Sequence, residues 1–164
     1  MEYKKLGTSV LKVSTIGMGC VTFGREIDPS TSFDVLDRAF EGGINLLDTA
    51  AAYGNDRISE KLLGEWFIKR GNRDSLILAS KMNGDMSAAA VTTSIEKSLR
   101  CLQTDRIDLF QLHHWPNKGW GEKHIEHPLE ETLEALDDQV RRGTVRHIGI
   151  SNTTGNQLQT ALEL

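Results

Sequence analysis

The sequence predicts an α/β fold: a parallel (β/α) barrel entered through a small N-terminal hairpin and carried through about five of its eight βα units. Three observations predict it. Short apolar runs alternate with helical periodicities from residue 14 onward. The runs are nearly continuous in apolar residues, as strands covered on both faces are. The reactive residues Asp48, Lys81, His113 and Ser151 each stand at the end of a successive run, about one βα unit apart. Right-handed crossovers bring such residues to one rim, where barrels of this kind keep their active sites.

The elements follow in order. Gly7-Thr8-Ser9 lies between two short mixed stretches, so residues 3–13 read as a hairpin. Residues 14–24 read as a short strand ending in glycine, with turn residues Asp28-Pro29-Ser30 after it. Phe33, Leu36 and Phe40 recur at helical spacing, and Gly42-Gly43 stops that helix. Ile44-Asn45-Leu46-Leu47 is the next strand and ends at Asp48. Leu62, Leu63 and Trp66 mark a helix that ends near Gly71. Leu76-Ile77-Leu78-Ala79 leads to Ser80-Lys81. Val91, Ile95, Leu99 and Leu102 form one helical face. Residues 106–112 lead to His113, and residues 145–150 lead to Ser151-Asn152. Between them, Leu129, Leu133, Leu136 and Val140 predict a helix closed by Gly143. A last helix begins near Asn156. The Gly/Lys/His-rich stretch from Asn117 to His127 reads as the longest loop, on the same end as the reactive residues.

The chain has 164 residues. That is one domain, residues 1–164, of which 1–13 is the hairpin and 14–164 the βα units. A full barrel of the TIM type takes about 250 residues, so the domain reads as stopped after its fifth unit. A net charge of −4 lacks the cationic surplus a nucleic-acid binder needs. No segment approaches the apolar length of a membrane span, and Gly7, Thr8, Ser9, Lys12 and Ser14 break any signal-peptide core. Both point to the cytoplasm. Cys20 and Cys101 form no framework and read as reduced thiols. His124 and His127 alone fall short of a metal site, which needs three or four ligands, and no metal is expected. There is no G-x-G-x-x-G or Walker loop; Gly17-x-Gly19 is a lone short match.

Taken singly, the rim residues have ordinary explanations. An Asp at a strand end is often a turn former, a Tyr in a glycine-containing loop is usually packing, and a Lys after an apolar run is usually solvated. None of these predicts the shared spacing. Residues 44–54, ending Asp48-Thr49-Ala50-Ala51-Ala52-Tyr53-Gly54, resemble the D-T-A-x-x-Y-G motif of the aldo-keto reductases. Ser59-Glu60, Ser80-Lys81, the run Asp108–His113, and Gly149-Ile150-Ser151-Asn152 followed by Gln157-Leu158 match the same family in order. Leu6-Gly7 through Gly24 is similar to the family's N-terminal hairpin and first strand.

The resemblance implies NADPH-dependent reduction of a small-molecule aldehyde or ketone and a tetrad of Asp48, Tyr53, Lys81 and His113. The roles make chemical sense. Hydride delivery to a carbonyl builds an alkoxide, which needs a proton donor and local stabilisation. Tyr53 would be the donor. A phenol is by itself a weak acid near neutrality, and an adjacent ammonium favours its anion. Asp48 would hold Lys81 charged, and His113 would orient the carbonyl oxygen. By the same resemblance Ser151 and Asn152 would bond the nicotinamide carboxamide, and Asp48 and Cys20 would lie against the cofactor; Trp115 reads as a wall of the substrate pocket, and Trp120, in the long loop, reads similarly. The family's remaining half carries contacts to the cofactor's phosphates. Two other readings stand beside the enzyme: a cofactor-binding scaffold of the same fold, and an inactive relic. An open sheet also has two bare edges, which favours self-association.

Overall fold

The computed structural model describes residues 1–115 and 128–164. The expected loop from Asn117 to His127, with Trp120, His124 and His127, lies outside the described residues.

The chain opens on an antiparallel pair, β1 (Tyr3–Lys5) and β2 (Lys12–Ser14), in the register Tyr3↔Ser14 and Lys5↔Lys12. Gly7 turns between them at φ +56°. The pair reaches one residue beyond the expected boundary, and the first barrel strand is shorter than expected: β3 is only Met18–Gly19 instead of residues 14–24. Two local bonds explain the difference. Ser14 N donates to Asn45 Oδ1 at 2.7 Å and its hydroxyl to Ile16 O, which bends the chain before β3. After it, the Thr22 carbonyl accepts from the amides of Arg25, Glu26 and Ile27, curling residues 22–27 into a turn.

From there strand and helix alternate as expected. Helix α1 is Pro29–Glu41, with Asp28 capping the amides of Ser30 and Thr31 and Pro29 in its first turn. Then come β4 (Leu46–Asp48), α2 (Ile58–Arg70), β5 (Ile77–Met82), α3 (Ala88–Leu102), β6 (Ile107–Leu112), α4 (Leu129–Arg141), β7 (Val145–Ile150) and α5 (Gly155–Leu162). Gly71 ends α2 in the left-handed conformation, which glycine adopts without a Cβ clash. Thr154 and Gln157 close a capping box on α5.

The five strands β3 to β7 lie in sequence order in one parallel sheet, a sector of an α/β barrel. Central β5 is buried at all six positions, whereas edge strand β7 is fully buried only at Val145. The main core fills the space between sheet and helices, with Trp66, Phe110, Leu63, Leu78, Ile95 and Leu102 all essentially inaccessible. Each such side chain contributes about 1.5–3 kcal/mol relative to exposure. Helices α2 and α3 touch at Gly64, where a Cβ would stand 2.3 Å from Cys101 O. At the foot of the sheet the fully buried Asp108 of β6 accepts from Leu78 N of β5, Arg73 and Arg146 of β7, tying three strands by one carboxylate. No helix among the described residues is long and apolar enough to cross a membrane.

Candidate functional site

Four residues of the rim come together through the sheet register. Asp48 ends β4, Lys81 is the next-to-last residue of β5, His113 follows β6 and Ser151 follows β7. Strand pairing continues past the named strands: Ala51 N donates to Lys81 O, His113 N to Met82 O and Ser151 N to Leu112 O, at 2.8–2.9 Å. The rim is therefore an extension of the rigid sheet.

Lys81 is 6% exposed, so its ammonium needs compensation. Both Asp48 oxygens stand 2.7 Å from Nζ, Thr49 O at 3.0 Å and Tyr53 Oη at 3.1 Å. The three ammonium hydrogens are shared among these acceptors, so the phenolic oxygen faces a charge whose other contacts are already made. The Lys81 Nζ also lies 4.8 Å from the Tyr53 ring centre, and the rings of Tyr53 and His113 meet edge to face at 5.7 Å. His113 is buried, and its burial holds the imidazole pKa below the usual value, with the Lys81 charge and His114 acting in the same direction against a smaller opposing effect of Asp48. The imidazole at this rim is thus neutral near pH 7.

The other expected residues fall as follows. Asn152 adopts a left-handed backbone (φ +51°), and its side-chain NH2 donates to His113 O at 2.8 Å and Ser151 Oγ at 3.1 Å. It thereby locks the end of β6 to the end of β7. Cys20 does not bring its thiol to the rim. It is 0% exposed, its Sγ lies against Met18 O, and what reaches the site is its amide, bonded to Asp48 O. Burial, chiefly, pushes that thiol pKa well up. Trp115, two residues past His113, is half-buried against the core. His114 is buried with its Nδ1 donating to Trp115 O at 2.8 Å.

Behind the rim stands a cluster in which Thr49, Ser59, Glu60 and Ser80 fall in the matched motifs without an assigned role, and Arg57, Ser94 and Ser98 fall in none. Glu60, in the first turn of α2, is 0% exposed. Its Oε1 accepts from Ser80 Oγ at 2.6 Å and its Oε2 from Arg57 at 2.9 Å. Arg57 also bonds Ser98 and Ser94 of α3. Ser59 Oγ donates to Cys20 O at 2.7 Å and accepts from Thr49 Oγ1. Asp56 and Arg57 both have positive φ, +51° and +57°, each costing a non-glycine residue about 1–2 kcal/mol. An arginine does not announce that conformation, and the partners come from elements distant in sequence.

The aldo/keto reductase family model matches residues 15–164. The chain belongs to the aldo/keto reductase family. Among relatives, it is 36% identical over 179 residues to "Uncharacterized oxidoreductase YrpG" of Bacillus subtilis, covering 98% of this chain and 52% of that protein. It is 32% identical over 193 residues to "Protein tas" of Escherichia coli, covering 100% and 56%. Among solved structures, the holo form of aldo-keto reductase AKR11C1 from Bacillus halodurans superposes with a TM-score of 0.86 at 34% identity, covering 99% of this chain and 54% of that one. This aldo-keto reductase family chain spans about half the length of the curated relatives it matches.

Proposed function

We propose that the chain carries the proton-transfer centre of an NADPH-dependent reductase that converts an aldehyde or ketone to the alcohol. The observation that carries this reading is the Tyr53 hydroxyl, 3.1 Å from a Lys81 ammonium that both oxygens of Asp48 hold at 2.7 Å. Bound NADPH would supply the hydride to the carbonyl carbon. Tyr53 gives its proton to the carbonyl oxygen as negative charge builds there, and the phenolate left behind is stabilised by the adjacent ammonium. Asp48 keeps Lys81 charged and in place. The neutral His113 hydrogen-bonds the carbonyl oxygen and fixes its direction. Solvent returns a proton to Tyr53, closing the cycle.

The residues present fit the nicotinamide end of such a cofactor. Both hydrogens of the Asn152 amide are committed within the chain, so its oxygen is the atom that can accept from a ligand, and a carboxamide NH2 is the complementary partner. Ser151 stands beside it. Asp48, with a side chain 37% exposed, borders the same rim. Trp115, packed against the core two residues beyond His113, would wall the substrate side. The Bacillus halodurans relative is described as a holo form, which is in keeping with a bound cofactor in that protein.

The test is Tyr53→Phe, assayed with NADPH and a reactive aromatic aldehyde. Loss of the proton donor lowers kcat by about 10²–10⁴-fold while cofactor affinity, followed by quenching of tryptophan fluorescence, is retained. Full turnover by this variant would sink the assignment.

A further inference from the structure

We propose that the Arg57–Glu60 pair, Glu60 buried and Arg57 half-buried, is the positioning device of the site: it holds the strained turn that keeps the Tyr53 hydroxyl against the Lys81 ammonium. Three observations converge on it. First, one carboxylate spans the two segments that matter. Glu60 Oε1 takes Ser80 Oγ, whose neighbour in β5 is Lys81, and Oε2 takes Arg57, four residues beyond Tyr53. Second, the turn between Tyr53 and α2 is strained. Asp56 and Arg57 both have positive φ, next to a Gly54 that adopts its own without a Cβ clash, and Ser59 N closes back on Tyr53 O at 3.4 Å. Such backbone persists only where its surroundings over-determine it. The surroundings here are the Arg57 guanidinium, 18% exposed, anchored at once to Glu60, Ser94 and Ser98. Third, an ion pair with one member fully buried is a poor source of stability, because the desolvation of that member offsets much of the attraction. What it supplies is a fixed geometry, and the geometry it fixes is that of Tyr53 relative to Lys81.

The arrangement makes Arg57 and Glu60 positioning residues: their bonds go to each other and to Ser80, Ser94 and Ser98, and none goes to Tyr53 or Lys81. For its catalytic consequence the inference rests on the reading of Tyr53 as proton donor. For its geometry it does not, and the experiment separates the two. The chain has two tyrosines, Tyr3 and Tyr53. In a Tyr3→Phe background, tyrosine labelled with 13C at Cζ reports on Tyr53 alone by NMR. Lys81→Met in that background marks the resonance of a Tyr53 without its ammonium neighbour. Arg57→Ala is expected to move the resonance most of the way to that mark with helical circular dichroism unchanged. Arg57→Lys keeps the charge but not the fork, and is expected part-way. Where wild type turns over, Arg57→Lys lowers kcat about tenfold to a hundredfold with KM little changed. A resonance that stays at its wild-type position in Arg57→Lys, and in Arg57→Ala if that variant folds, overturns the proposal. A resonance unmoved by Lys81→Met itself refutes the Tyr53–Lys81 contact and with it the functional reading.

Discussion

His113 shows how burial and charge combine at a single residue. Burial chiefly, and then the Lys81 ammonium, hold its imidazole below the ordinary value of about 6.5. The folded state therefore binds a proton here less readily than the unfolded chain. By linkage, His113 contributes stability that is fully present above about pH 6.5 and is lost as pH falls through its lowered folded value. Carboxylates held low, such as Asp37 beside Arg70, act only further down, below about pH 4. Urea unfolding between pH 5 and 7.5 should thus show stability rising with pH, and His113→Asn should flatten that slope. In Lys81→Met the His113 ring should titrate at higher pH, followed by its NMR signals. The rim residues were legible in the sequence because one functional side chain per βα unit is a pattern along the chain. The clasp behind them was not. Arg57, Glu60 and Ser80 acquire their meaning only when α2, α3 and β5 meet, and a left-handed Arg leaves no mark in sequence.

The elements follow mostly from apolar periodicity and glycine stops, as with α1, whose Leu36 and Ala39 face the core and whose end is marked by Gly42-Gly43. Where short-range bonds compete with the sheet, periodicity fails. Residues 14–24 read as one strand, yet Ser14 and Thr22 divert the backbone into turns and leave only Met18–Gly19 paired to β4. Gly64 poses the opposite case: a residue poor in helix propensity sits in mid-helix because of packing. Alanine is the better helix former by about 1 kcal/mol. At this position, however, its Cβ would stand 2.3 Å from Cys101 O and 2.8 Å from the carbonyl carbon of Leu102, both backbone. Helices α2 and α3 would have to separate. Gly64→Ala should therefore destabilise the chain by about 1–3 kcal/mol despite the gain in propensity, read as a lower urea midpoint at unchanged slope. A neutral or stabilising result would mean that the helix interface yields more easily than its backbone contact implies.

At the scale of the whole molecule, the sheet is defined by its two edges. Among the described residues β3 pairs only with β4 and β7 only with β6. The edge at β7 carries exposed apolar surface. Ile148 is 39% exposed and lines an apolar pocket of about 250 Å³ with Leu133, Leu136, Leu158 and Ala161. Leu158, Leu162 and Leu164 are exposed beside it. Unpaired strand edges next to apolar surface recruit further strands, and proteins that avoid this place lysine on such edges. We expect the 164-residue chain to self-associate through this face, with a sedimentation-derived mass that rises with concentration. Ile148→Lys discriminates between edge-driven association and general stickiness. The new ammonium would border Glu130 and Glu134, which line the neighbouring groove with Ile148, while Asp137 there is already paired with Arg141, so the side chain has partners and the fold can accept it. The variant should remain monomeric to higher concentration at unchanged helical content. Association that is indifferent to Ile148→Lys would move the contact away from β7, and a monomer at every concentration would show that α4 and α5 cover the edge well enough on their own.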